Sequence, residues 1–195
     1  MLLKHLSYLF LLIIGSLSFS STAASNESSE KNLMKPNLIA GTFEQNKFFK
    51  ILTRPIKSSG DFYLDQKLGF YWQTIKPVNS AIFLKSGELM EKDHHGNIKS
   101  IVGGGTLASV LIKAISGDIN ALKNEFELLK HQGNDCLELK PKQEILRQAI
   151  TKIDICGGLK PESIKLFESK GNKTEIQLTY HENAIMPEAI RAQLQ

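Results

Sequence analysis

The feature that most constrains the fold of this chain is the alternation of apolar and polar residues between positions 58 and 77. The apolar residues at alternate positions are Phe62, Leu64, Phe70 and Trp72. Because successive side chains of a strand leave opposite faces, this period of two predicts two strands, joined by a turn at residues 65–69. A hairpin that closes about Lys67 places Leu64 opposite Phe70 and Phe62 opposite Trp72, all on one face.

The same apolar face continues onto neighbouring predicted strands. Lys76-Pro77 ends the second strand of the hairpin, because proline has no N–H for the ladder. Ile82 and Leu84 alternate on the strand that follows, and Phe43 lies on a first strand predicted at residues 39–53. The sequence therefore predicts a broad apolar sheet face that another element or a ligand has to cover.

Further alternating segments, separated by turn residues, predict more hairpins along the chain. They lie at residues 88–92, 98–102, 126–130, 136–140, 151–156, 164–166 and 176–180. One helical segment interrupts them, and a short helix is predicted at residues 187–194. The expected fold is mainly β, of the α+β class, with a meandering antiparallel sheet and helices on one face.

The chain has two cysteines, and both lie on predicted neighbouring strands. Pairing Cys136 with Cys156 also pairs apolar residues on the other face of the sheet, namely Leu137 with Ile155 and Leu139 with Ile153. The same register opposes two carboxylates, whose repulsion lysines on the same strands can relieve. Since paired cysteines are usual in exported proteins, we predict a structural Cys136–Cys156 disulfide.

A glycine triplet at residues 103–105 precedes the helical segment. Its apolar residues recur at the spacing of one helix face, at Leu107, Val110, Leu111, Ala114 and Ile115. Two interpretations are open. The helix is a fixed part of the core, or it is a lid that covers the apolar sheet face until a ligand displaces it. Both require the same stripe, so the period does not separate them.

An ordered series of short motifs resembles the LolA family of periplasmic outer-membrane lipoprotein carriers. The series consists of Phe43-x-Gln45, Ser59-Gly60-x-Phe62, Phe70-x-Trp72 and Pro77. The resemblance extends over about residues 38–180. It implies a strongly curved antiparallel sheet, an open and incomplete barrel with short helices as a lid. It also implies binding of acyl chains without catalysis, and it favours the lid interpretation of the helix.

Under this resemblance the apolar face is a ligand-binding cavity. Its expected lining residues are Phe43, Phe62, Leu64, Phe70, Trp72, Ile82 and Leu84. The expected lid residues are Leu107, Val110, Leu111 and Ile115. The implied partners are lipoprotein acyl chains or another lipid, an inner-membrane donor complex and an outer-membrane acceptor, with a monomeric carrier and no cofactor. The alternative is a lipid-sensing or interaction module on the same fold, without transport.

The sequence departs from the family pattern in the turn before Phe70. Many LolA carriers have Lys-Arg-Pro there, and that Arg helps to hold the lid shut. In this chain Gln66 takes the place of the Arg, so the expected latch is missing and Lys67 is the candidate substitute. A divergent carrier for a different lipid or glycolipid is consistent with this change.

The first 24 residues are typical of a cleavable secretory signal. Lys4 precedes an apolar run at residues 6–17, and small residues follow up to Ala24. The run is shorter than the roughly 20 residues that cross a bilayer, which favours a cleaved signal over a membrane anchor. We therefore expect export to the periplasm, a flexible polar leader at residues 25–37, and a lipid-carrier domain at residues 38–195.

Several other classes of function are disfavoured by the sequence. The formal net charge is +4, but no basic run is interleaved with aromatic residues as in nucleic-acid interfaces. His94-His95 lies in a predicted turn, where a polar hairpin tip is a better interpretation than a metal site. The glycine triplet lacks the Lys-Ser/Thr ending of a phosphate-binding loop. None of the five histidines belongs to a recognisable catalytic motif, so we expect a protein that is not an enzyme.

Overall fold

The computed structural model describes residues 37–85, 87–101, 105–130 and 135–195, except the side chains of residues 105–107. The predicted signal at residues 1–24, and the leader up to residue 36, lie outside the described residues. In the described part, alternating segments form eleven strands: β1 (Leu38–Phe48), β2 (Ile56–Asp65), β3 (Gly69–Lys76), β4 (Ser80–Lys85), β5 (Glu88–Lys92), β6 (Ile98–Ser100), β7 (Phe126–Lys130), β8 (Cys136–Pro141), β9 (Ile150–Cys156), β10 (Ser163–Glu168) and β11 (Lys173–Tyr180). The helices are α1 (Gly105–Ile115), α2 (Glu144–Arg147), α3 (Glu188–Leu194) and a 3-10 helix (Ile119–Asn124).

The described strands form one antiparallel sheet in the order β6-β5-β4-β3-β2-β1-β11-β10-β9-β8-β7. Each strand pairs with its neighbours in sequence, except that β6 and β7 do not pair, and β1 and β11 pair with each other in the middle of the sheet. The two edges are β6 and β7, and the chain between them contains α1 and the 3-10 helix. The predicted antiparallel meander is confirmed, and its two edge strands do not close into a barrel.

The β2–β3 hairpin has the predicted register. Phe62 pairs with Trp72 and Leu64 pairs with Phe70, and a three-residue turn centred on Lys67 connects the strands. The carboxylate oxygen Oδ1 of Asp65 accepts the backbone N–H groups of Lys67 and Leu68, at 2.8 and 2.9 Å. Gly69 follows with a φ of +116°, a conformation that side chains disfavour. The turn is therefore fixed by Asp65 and Gly69.

The predicted disulfide and its register are also confirmed. Cys136 and Cys156 are bonded and directly opposite each other, with Leu137 opposite Ile155 and Leu139 opposite Ile153. The opposed carboxylates are Glu138 and Asp154. Lys152 Nζ lies 3.0 Å from Glu138 Oε2 and 3.2 Å from Asp154 Oδ2. Lys140 Nζ adds a contact of 3.2 Å to Glu138. Hydrogen bonds from Lys152 and Lys140 hold the pKa of Glu138 below its usual value.

The predicted end of the first strand is wrong. We expected the strand to reach Thr53, but β1 ends at Phe48, which pairs with Lys173, the first residue of β11. Because β11 begins at Lys173, the residues after Phe48 have no partner on that strand, and the chain turns. The turn is held by the Lys50 N–H, which donates to Asn172 Oδ1 at 3.2 Å, and by the Leu52 N–H, which donates to the Phe49 carbonyl.

Each face of the sheet carries its own helix, so the expectation of helices on one face is wrong. We call the face of Trp72 the inner face, and α1 packs against it in the larger buried cluster. The outer face carries a second cluster, formed by Tyr71, Ala81, Phe83, Met186, Ile190 and Leu194, in which α3 contacts β3 and β4. The alternate residues of β3 and β4 are apolar too, so these strands are buried on both faces.

Candidate functional site

All seven predicted cavity residues lie on the inner face. Five of them belong to the buried inner cluster, namely Phe43, Phe62, Leu64, Phe70 and Trp72. Leu84 packs against that cluster, and Ile82 lies directly opposite Trp72 on the neighbouring strand. The alternation that predicted the strands therefore also identified the residues that meet on one face.

Helix α1 covers this inner face through the predicted stripe. Val110, Leu111, Ala114 and Ile115 are all buried in the same cluster as the sheet residues, while the side chain of Leu107 lies outside the described residues. The helix ends at Ile115, and Gly117, the residue predicted to stop it, follows with a φ of +71°. The N–H of Asp118 donates to the Lys113 carbonyl and that of Gly117 to the Ala114 carbonyl, the pattern of a Schellman cap.

The inner face is strongly curved. Ile82 of β4 and Ile164 of β10 line the same hollow, although their strands are five positions apart in the sheet. In a flat sheet five strand spacings would separate them by about 24 Å. The sheet therefore curls around α1, as the open incomplete barrel requires.

A hollow of about 320 Å³ lies between the inner face and α1. Its lining residues come from both halves of the sheet and from the helix: Gln45, Lys47, Phe70, Trp72, Ile82, Leu89, Ile101, Ala108, Leu111, Ile164, Leu166, Glu168, Thr174 and Ile176. Ten of these fourteen residues are apolar, so the hollow suits a hydrocarbon group better than a polar one. We call it the inner hollow.

The predicted cavity residues divide into two groups. Phe70, Trp72, Ile82 and the helix residue Leu111 line the inner hollow. The other four predicted sheet residues are packed beside it rather than lining it: Phe43, Phe62, Leu64 and Leu84. Trp72 stacks on Phe43 with ring centroids 3.9 Å apart, so this second group supports the wall of the hollow.

Four lining residues on strands β5, β10 and β11 were missed by the sequence analysis. They are Leu89, Ile164, Leu166 and Ile176. The alternation of β10 and β11 was recognised, but their face could be assigned only after the pairing of β1 with β11 was known. Nothing in the sequence indicated that Lys47, Glu168 and Thr174 line the hollow, because polar residues are usual near strand ends.

A second hollow, of about 740 Å³, lies on the other side of α1, between the helix and strands β4 to β6. It shares Leu89, Ile101 and Ala108 with the inner hollow, so the two spaces are separated by a thin wall. Ser109, Ile112 and Lys113 of α1 also line it. A displacement of α1 would therefore join the two spaces.

The inner hollow has one polar end, close to the end of the sheet where β1 stops. Lys47 Nζ lies 3.2 Å from Glu168 Oε1, and Gln45 Nε2 donates to Ser58 Oγ at 3.2 Å. Burial disfavours the charged form of Glu168, but hydrogen bonds from Asn172 and Lys47 outweigh it and hold its pKa below the usual value. The hollow thus combines apolar walls with a charged rim.

The side chain of Lys67 is exposed at the β2–β3 turn, and among the described residues it forms no ion pair. An ion pair of α1 lies elsewhere, between Lys113 Nζ and Glu125 Oε1 at 2.8 Å. This pair connects α1 to the residue before β7. The proposed substitution of the family latch by Lys67 stays a prediction.

The Tyr180 ring meets Phe62 edge to face, and burial together with Glu162 raises the pKa of its hydroxyl, which stays neutral. Within the described part of the chain, no group of three His, Cys, Asp or Glu side chains could hold a metal ion.

Comparison with known families decides which group of proteins this arrangement belongs to. The family described as "Outer membrane lipoprotein carrier protein LolA" matches residues 35–190, most of the chain. The chain belongs to the LolA family. Carriers, rather than enzymes, make up that family. Among curated protein sequences, none matches this chain.

Solved structures with similar folds are distant in sequence. A DUF1329 family protein from Desulfovibrio piger is 11% identical, with a TM-score of 0.48, over 85% of this chain and 94% of its own. A putative outer membrane lipoprotein-sorting protein domain from Vibrio parahaemolyticus is 10% identical, with a TM-score of 0.45, over 80% and 90%. A LolA superfamily protein from Nitrosomonas europaea is 10% identical, with a TM-score of 0.43, over 79% and 89%.

The described residues include no helix with the length and apolar character needed to cross a membrane.

Proposed function

We propose that this LolA-family chain is a periplasmic carrier that takes lipoprotein acyl chains, or those of a related lipid, into the inner hollow. It would move them from the inner to the outer membrane and would perform no chemical reaction on them. The observation that carries the proposal is the apolar hollow of about 320 Å³ with Leu111 of α1 in its wall. The described carrier function of the family supports it.

The binding energy comes from hydrocarbon that leaves water. Each methylene group transferred into the hollow contributes about 0.8 kcal/mol. The hollow lies at the lower end of the range of roughly 300–1,000 Å³ for ligand sites, so a long acyl chain needs more room than the closed state offers. Displacing α1 joins the hollow with the space of about 740 Å³ beside it and supplies that room.

The same displacement keeps binding reversible. Val110, Leu111 and Ile115 are buried against the sheet, and each such side chain contributes about 1.5–3 kcal/mol when it is buried. An acyl chain has to replace these contacts, so part of its binding energy is offset by the loss of lid packing. An acceptor that releases the chain allows α1 to return to the face.

The polar end of the hollow fits the polar part of the cargo. Lys47 and Glu168 form the charged rim, and Gln45 lies beside them on the inner face. A hydrocarbon tail among Trp72 and its apolar neighbours would leave the linkage to its polar head near this rim. The amino group of Lys47 suits an anionic or carbonyl-containing head group.

The first experiment is native mass spectrometry of the protein purified from its own host, to detect a lipid that remains bound. Uptake is then measured with a radiolabelled fatty acid, and transfer is measured between donor and acceptor vesicles. We expect bound lipid and transfer from donor to acceptor. A protein that retains lipid without transferring it would be a sensor or interaction module, and one that binds no acyl chain would contradict the proposal.

The lid is tested by Leu111→Glu, which places a carboxylate against the apolar face and favours the open position of α1. We expect altered rates of both uptake and release, and a smaller change in the same direction for Leu111→Ala. The matched control is Ile185→Glu, because Ile185 is exposed and lies outside both hollows. Unchanged uptake and release in Leu111→Glu would refute the movable lid.

A further inference from the structure

The exposed apolar side chains are concentrated at one end of the sheet. Of the ten large apolar residues that are exposed in the described part of the chain, seven lie at the end where β1 stops and β2 begins: Ile51, Leu52, Ile56, Ile75, Val78, Ile98 and Ile145. Only Leu159 and Ile185 lie at the opposite end, and Ile82 belongs to the inner hollow. Clusters of exposed apolar residues of this kind mark interaction sites.

Five of these residues lie on two neighbouring loops and on the strand ends beside them. The apolar tip, as we call it, consists of Ile51, Leu52, Ile56, Ile75 and Val78. Lys76 of β3 pairs with Ser59 of β2, so the loop that follows β3 starts only three residues, about 10 Å, from the start of β2. Ile51, at the loop between β1 and β2, is 90% exposed.

The charged residues in the two segments that contain the apolar tip are all basic. Residues 49–59 and 74–80 contain Lys50, Arg54, Lys57 and Lys76, and no Asp or Glu. All four basic side chains are exposed. Exposed apolar side chains with cations close by in the same segments match the two layers of an anionic membrane surface, in which acyl chains lie beneath negative head groups.

We propose that the apolar tip docks this protein on the surface of a bilayer that contains anionic lipids. The apolar residues would enter the interfacial layer, and the four cations would contact the head groups. A second copy of the chain is a poorer occupant, because a symmetric contact would bring the same cations against one another. The charged rim of Lys47 and Glu168 lies at the same end, so docking would bring the polar end of the inner hollow towards the membrane.

The docking surface is distinct from the proposed cargo site. None of the five apolar residues of the tip lines the inner hollow. A protein without lipid in the hollow could still dock, and one that fails to dock could still take up a fatty acid. The two proposals therefore fail in different measurements.

The test is flotation of the purified protein with vesicles of phosphatidylethanolamine and phosphatidylglycerol, compared with vesicles of phosphatidylcholine alone. We expect binding to the anionic vesicles that weakens as salt is added, because salt screens the contribution of the cations. Replacing Ile51→Ser together with Val78→Ser should weaken binding about tenfold or more. The matched control is Leu159→Ser with Ile185→Ser, which removes two strongly exposed apolar residues from the opposite end.

The cations are tested in the same assay. Lys50→Glu with Arg54→Glu should weaken binding to anionic vesicles at least about fivefold, whereas Lys130→Glu with Lys160→Glu, at two exposed lysines of the opposite end, should not. Fatty-acid uptake is measured for every variant and should stay unchanged, and thermal unfolding verifies that each one is folded. Equal flotation of the tip and control variants, or equal binding to neutral and anionic vesicles, would overturn the proposal.

Discussion

The inner and outer faces of strands β3 and β4 are built from the same kinds of residues but are covered differently. On the outer face, Tyr71 stacks on Phe83 with ring centroids 5.6 Å apart, and the Tyr71 hydroxyl donates to Gln193 Oε1 of α3 at 2.8 Å. On the inner face, Trp72 and Ile82 face α1 across a hollow. One helix is closely fitted to the sheet, and the other leaves space.

The two faces also differ in the polarity of the side chains that line the space beside them. A hollow of about 280 Å³ also exists on the outer side, but its lining includes Gln73, Asn79, Lys92 and His94. The inner hollow is lined mainly by aliphatic and aromatic side chains. A face that combines empty volume with apolar walls lacks packing contacts that an apolar ligand could supply, as the proposed function requires.

The largest effect is expected from the outer face, with Phe83→Ala. Phe83 of β4 is almost completely buried in the cluster of the outer face, so its truncation leaves a cavity and should lower the free energy of unfolding by about 3–5 kcal/mol. Denaturant unfolding measures this loss. The folded fraction should take up fatty acid with unchanged affinity, and a loss of affinity at full folding would show that the two faces are coupled.

The disulfide provides the next test of the outer face. Cys136→Ser with Cys156→Ser removes a cross-link between residues 20 apart in sequence and should lower the stability by about 2–4 kcal/mol. Thermal unfolding of the variant, and of the original protein with and without reductant, gives the value. Since the cysteines face away from the inner cluster, lipid transfer by the folded variant should be normal. Abolished transfer would contradict a purely structural role.

The inner face should respond in affinity more than in stability. Ile82→Trp enlarges a partly exposed residue that lines the inner hollow, and the added ring would occupy space that the acyl chain needs. We expect fatty-acid affinity to fall about tenfold, which corresponds to about 1.4 kcal/mol. The same substitution at the exposed Ile185 is the control. If both variants bind equally well, the acyl chain lies elsewhere.

The smallest effect concerns the charged rim. Because the pKa of Glu168 is held below its usual value, its ionised form stabilises the fold above the pKa of the unfolded chain, and this contribution disappears as the pH falls through the lower native pKa. Glu168→Gln should therefore lower stability by less than about 1 kcal/mol at pH 7, and by progressively less as the pH falls below about 4. Unfolding curves of both proteins across this range measure the difference, and a constant difference at every pH would contradict the assignment.

Period and register explain how much of the structure the sequence could predict. The hairpin at Lys67 and the Cys136–Cys156 register follow from local alternation, which fixes both the partner and the face. The pairing of β1 with β11 joins residues far apart in the chain and has no local signal, so the contribution of Ile164 and Ile176 to the hollow could not be predicted. The position of α3 could have been inferred, because Tyr71 and Phe83 leave an apolar stripe on the outer face that requires a cover.

The place of α1 in the topology has a consequence for how such proteins can diversify. In the chain the helix lies between β6 and β7, the two edge strands. These two strands do not pair with each other, so the helix does not connect two hydrogen-bonded strands. Six strands precede it, five follow, and the two groups are joined in the middle by β1 and β11. The segment that carries α1 can therefore be lengthened, shortened or exchanged without shifting the register of any described strand pair, so the cover of the inner face can vary while the sheet stays the same.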